Sequence, residues 1–91
     1  MKKSKRMFLT GTTQLMFFEN FIKESADNLG VRGFIRKLQD GRLEIFVEGD
    51  KDKVEQMTEI CRRGHQHTQI KKVEEQEERF QDFKDFRIIK F

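Results

Sequence analysis

The chain has 91 residues, enough for one small domain spanning 1–91, and 35% apolar against 38% charged residues makes it polar for a globular protein. Ten Phe still supply large pieces of core that a disordered chain lacks, no apolar run approaches the ~20 residues of a bilayer span, and a single Cys makes neither an internal disulfide nor a Cys-rich zinc site. Nineteen Lys and Arg against sixteen Asp and Glu leave a net charge of +3, a balance that does not by itself argue for nucleic acid. The basic start, Met1-Lys2-Lys3-Ser4-Lys5-Arg6, is followed by no uninterrupted apolar segment and no small-residue cleavage site, so a reduced, cytoplasmic protein is expected.

Residues 5–11 read as a first strand that stops at Gly11, followed by a polar stretch, Thr12-Thr13-Gln14. A helical period then runs through Phe18, Phe21 or Ile22, Ser25 or Ala26, and Leu29, with Glu19, Lys23, Glu24 and Asp27 largely on the other faces. Gly30 suits a left-handed C-terminal cap. Val31 to Leu38 reads as a strand, and Asp40-Gly41 as a tight turn into the next one. From Arg42 to Glu48 the pattern alternates, with Leu43, Ile45 and Val47 on one side and Arg42, Glu44, Phe46 and Glu48 on the other, as in a strand covered on one face. Phe46 is the apolar exception on the polar side.

Asp50 is placed to cap a second helix whose apolar stripe is Val54, Met57, Thr58 and Cys61. Arg62 and Arg63 suit its dipole, and Gly64 ends it. Gln69 to Glu75 is a very polar strand, Gln76 to Asp82 a charged loop, and Phe86 to Phe91 a short final strand. The order predicts an α+β protein: a ferredoxin-like α/β sandwich with two helices on one face of an antiparallel sheet, plus a short C-terminal strand.

Three other features invite a function. His65 and His67 with Cys61 nearby could hold a soft metal, but the spacing fits no standard site, so no metal is expected and Cys61 reads as a buried small hydrophobe. Met16, Phe17 and Phe18 together could form an exposed contact patch; the competing reading is that Phe17 and Phe18 start the buried helix stripe, which is favoured for Phe18. An open sheet face would offer Phe34, Phe46, Arg32, Arg36, Arg42 and Glu44 to RNA, yet the aromatic RNA-binding motif is absent and the acids at 44, 48, 74 and 75 dilute the field, which argues against nucleic acid.

Two blocks carry a resemblance to the acylphosphatase family. Gly11-Thr12-Thr13-Gln14-Leu15-Met16-Phe17-Phe18-Glu19 is similar to the family's G-x-V-Q-G-V-x-F-R. Residues 26–49, from Ala26 through Gly30, Gly33-Phe34-Ile35-Arg36-Lys37, Asp40-Gly41 and Glu44 to Gly49, resemble A-x-x-L-G-L-x-G-W-V-R-N-x-x-D-G-x-V-E-x-x-x-E-G. Shorter matches follow at Cys61-Arg62-Arg63-Gly64, at Ile70-Lys71-Lys72-Val73 and at 83–88.

The resemblance implies hydrolysis of the mixed anhydride of a carboxylic and a phosphoric acid, with no metal or cofactor. It implies a phosphate cradled by backbone N–H groups of the loop Thr12, Thr13, Gln14, Leu15, Met16, Phe17 and Phe18, clamped by an Arg and attacked by a water that an Asn orients. The Arg position is Glu19, the Asn position is Lys37, and the loop's internal Gly is Leu15. A like charge ~4 Å from a phosphate costs about 4 kcal/mol at an effective dielectric of ~20, so an impaired catalyst is expected, with Glu19 and Lys37 pairing across an empty cradle. The alternatives are an active acylphosphatase with Glu19 as general base, a shifted loop that uses Arg36 as clamp, and a module that binds RNA or protein. The expected partner is a small acyl phosphate or other anion, with no membrane association and a monomeric state.

Overall fold

The computed structural model describes residues 1–12, 14–65 and 68–90, so the readings on Thr13, His67 and Phe91 lie outside the described residues. The elements are β1 (Lys2–Thr12), α1 (Leu15–Leu29), β2 (Arg32–Lys37), β3 (Leu43–Asp50), α2 (Lys51–Arg63), β4 (Gln69–Glu77) and β5 (Phe86–Ile89). They form one five-stranded sheet in the order β4-β1-β3-β2-β5. Four strands are antiparallel to their neighbours, as expected, but β5 joins the edge of β2 in parallel, so the sheet is mixed.

Both helices pack on one face, over a core of Met7, Leu9, Ile35, Ile45 and Val47 from the sheet and Phe18, Ile22, Val54 and Met57 from the helices. The period of 3.6 is visible in α1, where Phe18, Ile22 and Ala26 are buried, and Gly30 ends the helix at φ 73° as a left-handed cap. Glu19, expected on a solvent-facing side, is buried as well. Gly33 is dictated by close approach: a Cβ there would lie 1.9 Å from the Phe46 carbonyl oxygen. Asp50 stands at the N-cap of α2, but its carboxylate takes Lys2 Nζ at 3.3 Å and makes no cap bond. Cys61 is buried, as expected, and burial pushes its thiol up to about 12.

The largest departure from the sequence reading is β3, whose residues Leu43–Gly49 are buried on both faces. On the face away from the helices, Glu44 accepts from both Arg6 and Arg36. Phe46 is stacked on Phe34 at 5.9 Å and covered by Phe83 at 5.3 Å, with the Arg6 guanidinium 5.1 Å from its ring. These aromatics are already in contact, so the base-stacking surface of an RNA-binding sheet is not on offer.

The cover is the connector between β4 and β5, which crosses one end of the sheet. Glu78 N–H donates to Ser4 O on β1 at 3.1 Å. Next, the buried Glu48 carboxylate of β3 accepts from Gln81 N–H at 2.7 Å, Phe83 N–H at 2.6 Å and Ser4 Oγ at 3.1 Å. Finally Arg32 on β2 donates to Phe83 O at 3.2 Å, and Gly33 N–H to Asp85 O at 3.0 Å. The connector leaves β4 and lands beside β2 at the same end of the sheet, which is why β5 must run parallel to β2.

A buried carboxylate that accepts from two backbone donors of the connector cannot be removed cheaply. Glu48→Ala is expected to destabilise the protein by about 3–5 kcal/mol, and Glu48→Gln by about 1–3 kcal/mol, because an amide offers one acceptor in place of two. Urea unfolding measures both; equal stabilities for Glu48→Ala and wild type would show that the connector is held by other contacts.

Candidate functional site

The candidate site lies at the opposite end of the sheet, where β2 and β5 finish and α1 begins. Alternation builds it. Ile35 and Ile88 face the helices, and the β2–β5 register sets Arg36 beside Ile89. The next residue on each chain is a lysine, Lys37 and Lys90, and both return to the helix side. Leu15, Glu19, Arg36, Lys37, Leu38, Gln39, Ile89 and Lys90 line a cleft of about 640 Å³ there.

Helix α1 begins at Leu15, so Leu15–Phe18 of the expected cradle form its first turn, while Thr12 ends β1. Without a Gly at 15, Leu-Met-Phe-Phe continues the helix toward its start. Among the described residues, the first bond of the helix is Phe18 N–H to Gln14 O at 3.0 Å, and the amides of Leu15, Met16 and Phe17 have no acceptor. Gln14 makes no side-chain cap bond, and the first turn carries no acid. Phe18 is buried in the core, as read from the period, whereas Met16 and Phe17 are 68% and 66% exposed.

Glu19 enters the cleft one turn into α1 and is only 2% exposed. A carboxylate this buried requires a partner, and the partner is Lys90, whose Nζ lies 2.8 Å from Oε1. This corrects the expected Glu19–Lys37 pair. Lys37 is exposed at the end of β2 and has no ion pair among the described residues. Lys90 was missed in the sequence, although the alternation Phe86, Ile88, Lys90 points it at α1. Arg36 reaches the rim of the cleft, but its guanidinium is held by Glu44 and lies 5.8 Å from the Phe34 ring, so it is not a clamp in waiting.

Among the described residues, counting Glu19 against Lys37 and Lys90 leaves one positive charge in the cleft beside the first turn of α1. The arrangement can attract a small anion, but among the described residues that line it the fully enclosed charge is the Glu19 carboxylate. Among the described residues, no group of three or more His, Cys, Asp and Glu could hold a metal ion. His65 instead packs its ring 4.7 Å from Phe21. No described helix is long and apolar enough to cross a membrane.

Removing the lysine should expose the cost of the buried acid. Lys90→Met is expected to destabilise the fold by about 1–2 kcal/mol, less than a fully enclosed pair because Lys90 is itself largely exposed. Adding Glu19→Gln should recover most of that loss, and chemical denaturation of the two single variants and the double measures the coupling. Additive effects would place Lys90 elsewhere.

Comparison with known proteins agrees with this architecture. The acylphosphatase family model matches residues 5–88. The acylphosphatase of Syntrophobacter fumaroxidans is 38% identical over 73 residues, covering 80% of this chain and 75% of that protein. The acylphosphatase of Alkalilimnicola ehrlichii is 32% identical over 89 residues, covering 98% of this chain and all (100%) of that one. The crystal structure of acylphosphatase from Bacillus subtilis superposes with a TM-score of 0.89 at 24% identity, over 99% of this chain and 100% of that one. With the family's pattern running from β1 to β5, this chain belongs to the acylphosphatase family.

Proposed function

We propose that this protein is an acylphosphatase-family member whose cleft still attracts small anions but no longer hydrolyses acyl phosphates at an enzymatic rate. The observation that carries the reading is Glu19: the position that the family resemblance assigns to the clamping Arg holds a buried carboxylate bonded to Lys90.

The ion pair changes the size of each electrostatic effect. A lone Glu19 would repel a phosphate by about 4 kcal/mol at ~4 Å. Lys90 cancels much of that field, so repulsion is not the main loss. The main loss is the guanidinium. A phosphoryl group in transfer spreads charge over its equatorial oxygens, and a bidentate Arg stabilises that charge by a factor of roughly 10³–10⁵ in rate. Neither lysine replaces it. Lys90 is bound to Glu19, and Lys37 is a mobile point charge with donors only.

Lys37 also stands where the resemblance puts the Asn that orients water. An ammonium cannot accept a hydrogen bond from water as an amide oxygen does. Attraction for the anion therefore survives through Lys37 and the first amides of α1, while the clamp and the aligned nucleophile are both gone. The supported ligand class is a small phosphate or carboxylate held weakly.

Steady-state hydrolysis of benzoyl phosphate tests this reading. The protein as it stands should add no rate above buffer, at least about 10³-fold below an ordinary enzyme. Glu19→Arg with Lys37→Asn should bring turnover back only when Lys90→Gln is added, because a new Arg would otherwise face Lys90 across less than one side-chain length. Turnover near ~10 s⁻¹ by the unaltered chain would overturn the proposal.

A further inference from the structure

The cleft at the start of α1 is larger than a phosphate needs and less polar than a phosphate site should be. Its volume of about 640 Å³ falls in the range of pockets that enclose whole organic molecules. Three of the eight residues lining it are aliphatic: Leu15 from α1, Leu38 from the turn after β2, and Ile89 from β5. All three are half-buried, so each keeps apolar surface that a ligand can cover. Leu15 stands where the family resemblance places a glycine, which has no side chain to offer. The substitution that removes part of a phosphate cradle therefore adds an apolar wall.

The charges in the same cleft sum to one. Glu19 and Lys90 neutralise each other, Arg36 is bound to Glu44, and Lys37 has no ion pair among the described residues. A carboxylate brings one negative charge and matches that balance. Inorganic phosphate at about pH 8 brings close to two. Its second charge finds no guanidinium to hold it and lies in a cleft whose enclosed charge is the Glu19 carboxylate. Gln39, two residues beyond Lys37 and lining the same cleft, offers an amide N–H as a second donor for a carboxylate. One free cation among aliphatic walls suits an amphiphilic anion, with its head group on Lys37 and its chain along Leu15, Leu38 and Ile89.

We propose that the cleft selects organic monoanions with an apolar chain, the medium-chain fatty carboxylates, over inorganic phosphate. This rests on the reading of the cleft as an anion site and names the class of anion that it favours.

Titration of the full chain with butyrate, hexanoate, octanoate and inorganic phosphate at about pH 8, followed through the backbone amides by NMR, tests it. The amides of Leu15, Lys37, Leu38, Gln39 and Ile89 should shift together. Octanoate should bind at least about tenfold more tightly than butyrate, at roughly twofold per methylene in a half-open cleft. Phosphate should bind at least about tenfold more weakly than octanoate. Lys37→Met should weaken butyrate and octanoate by the same factor, at least about fivefold, because it removes the head-group contact alone. Leu15→Gly should weaken octanoate and leave butyrate nearly unchanged, and Leu38→Ser makes the same cut from a second wall should Leu15→Gly disturb α1. The amide spectrum of each variant checks that the fold is kept. Equal affinities along the carboxylate series, or phosphate as tight as octanoate, overturn this inference and leave an anion site in place. No shift with any of the four anions overturns it together with the anion reading of the cleft. Octanoate shifts that lie elsewhere on the surface and ignore Lys37→Met overturn it as well.

Discussion

Glu48 decides where the last dozen residues of the chain go. Its carboxylate is 1% exposed and turns toward the connector, where two backbone N–H groups and the Ser4 hydroxyl meet it. A buried carboxylate without such donors would be costly, and the two half-buried N–H groups gain a charged acceptor in it. The two requirements answer each other, and the connector is thereby held across β1, β3 and β2. Phe83 fills the space over Phe34 and Phe46, and β5 is delivered to the edge of β2 in parallel. Its direction then carries Lys90 to the far end of the sheet, beside α1. The neutralisation of Glu19 is thus a consequence, two steps removed, of how Glu48 is satisfied.

The cleft at that far end combines two features that pull in different directions. Among the described residues, the start of α1 has no side-chain cap and Lys37 has no ion pair, which favours an anion, whereas the enclosed charge is the Glu19 carboxylate. In the family reading, a guanidinium would work against a phosphate at that point. Here the same depth of burial serves an internal ion pair. A scaffold can keep its fold under such a change because the pair is self-contained: Glu19 draws its partner from the residue that follows β5, not from a ligand.

Much of the fold was legible in the residues. The 3.6 period of Phe18, Ile22 and Ala26, the Asp40-Gly41 turn and the alternation of Leu43, Ile45 and Val47 each report a local constraint, and local constraints are what a sequence displays. Gly33 was quoted as part of a motif, yet its reason, the Phe46 carbonyl, lies on another strand. The burial of Phe46 and Glu48 was not legible, because the segment that meets them is more than thirty residues away and begins as a charged loop. At the site, Glu19 and Lys37 were identified by resemblance, but their pairing was assigned wrongly. Two opposite charges in one cleft invite the assumption that they meet. Lys90 arrives through a long-range strand pairing that only the connector's path determines, and it is the nearer cation.

The account turns on whether the cleft can carry an acyl phosphate through hydrolysis even once. The most direct measurement is a single-turnover experiment, with the protein in excess over benzoyl phosphate and the phosphorus species followed by NMR. Decay is expected at the buffer rate, with the acyl phosphate's phosphorus resonance shifted or broadened by weak binding and inorganic phosphate appearing no faster than in the absence of protein. Protein-dependent release of phosphate, blocked by added inorganic phosphate and lost in Lys37→Ala, would contradict it.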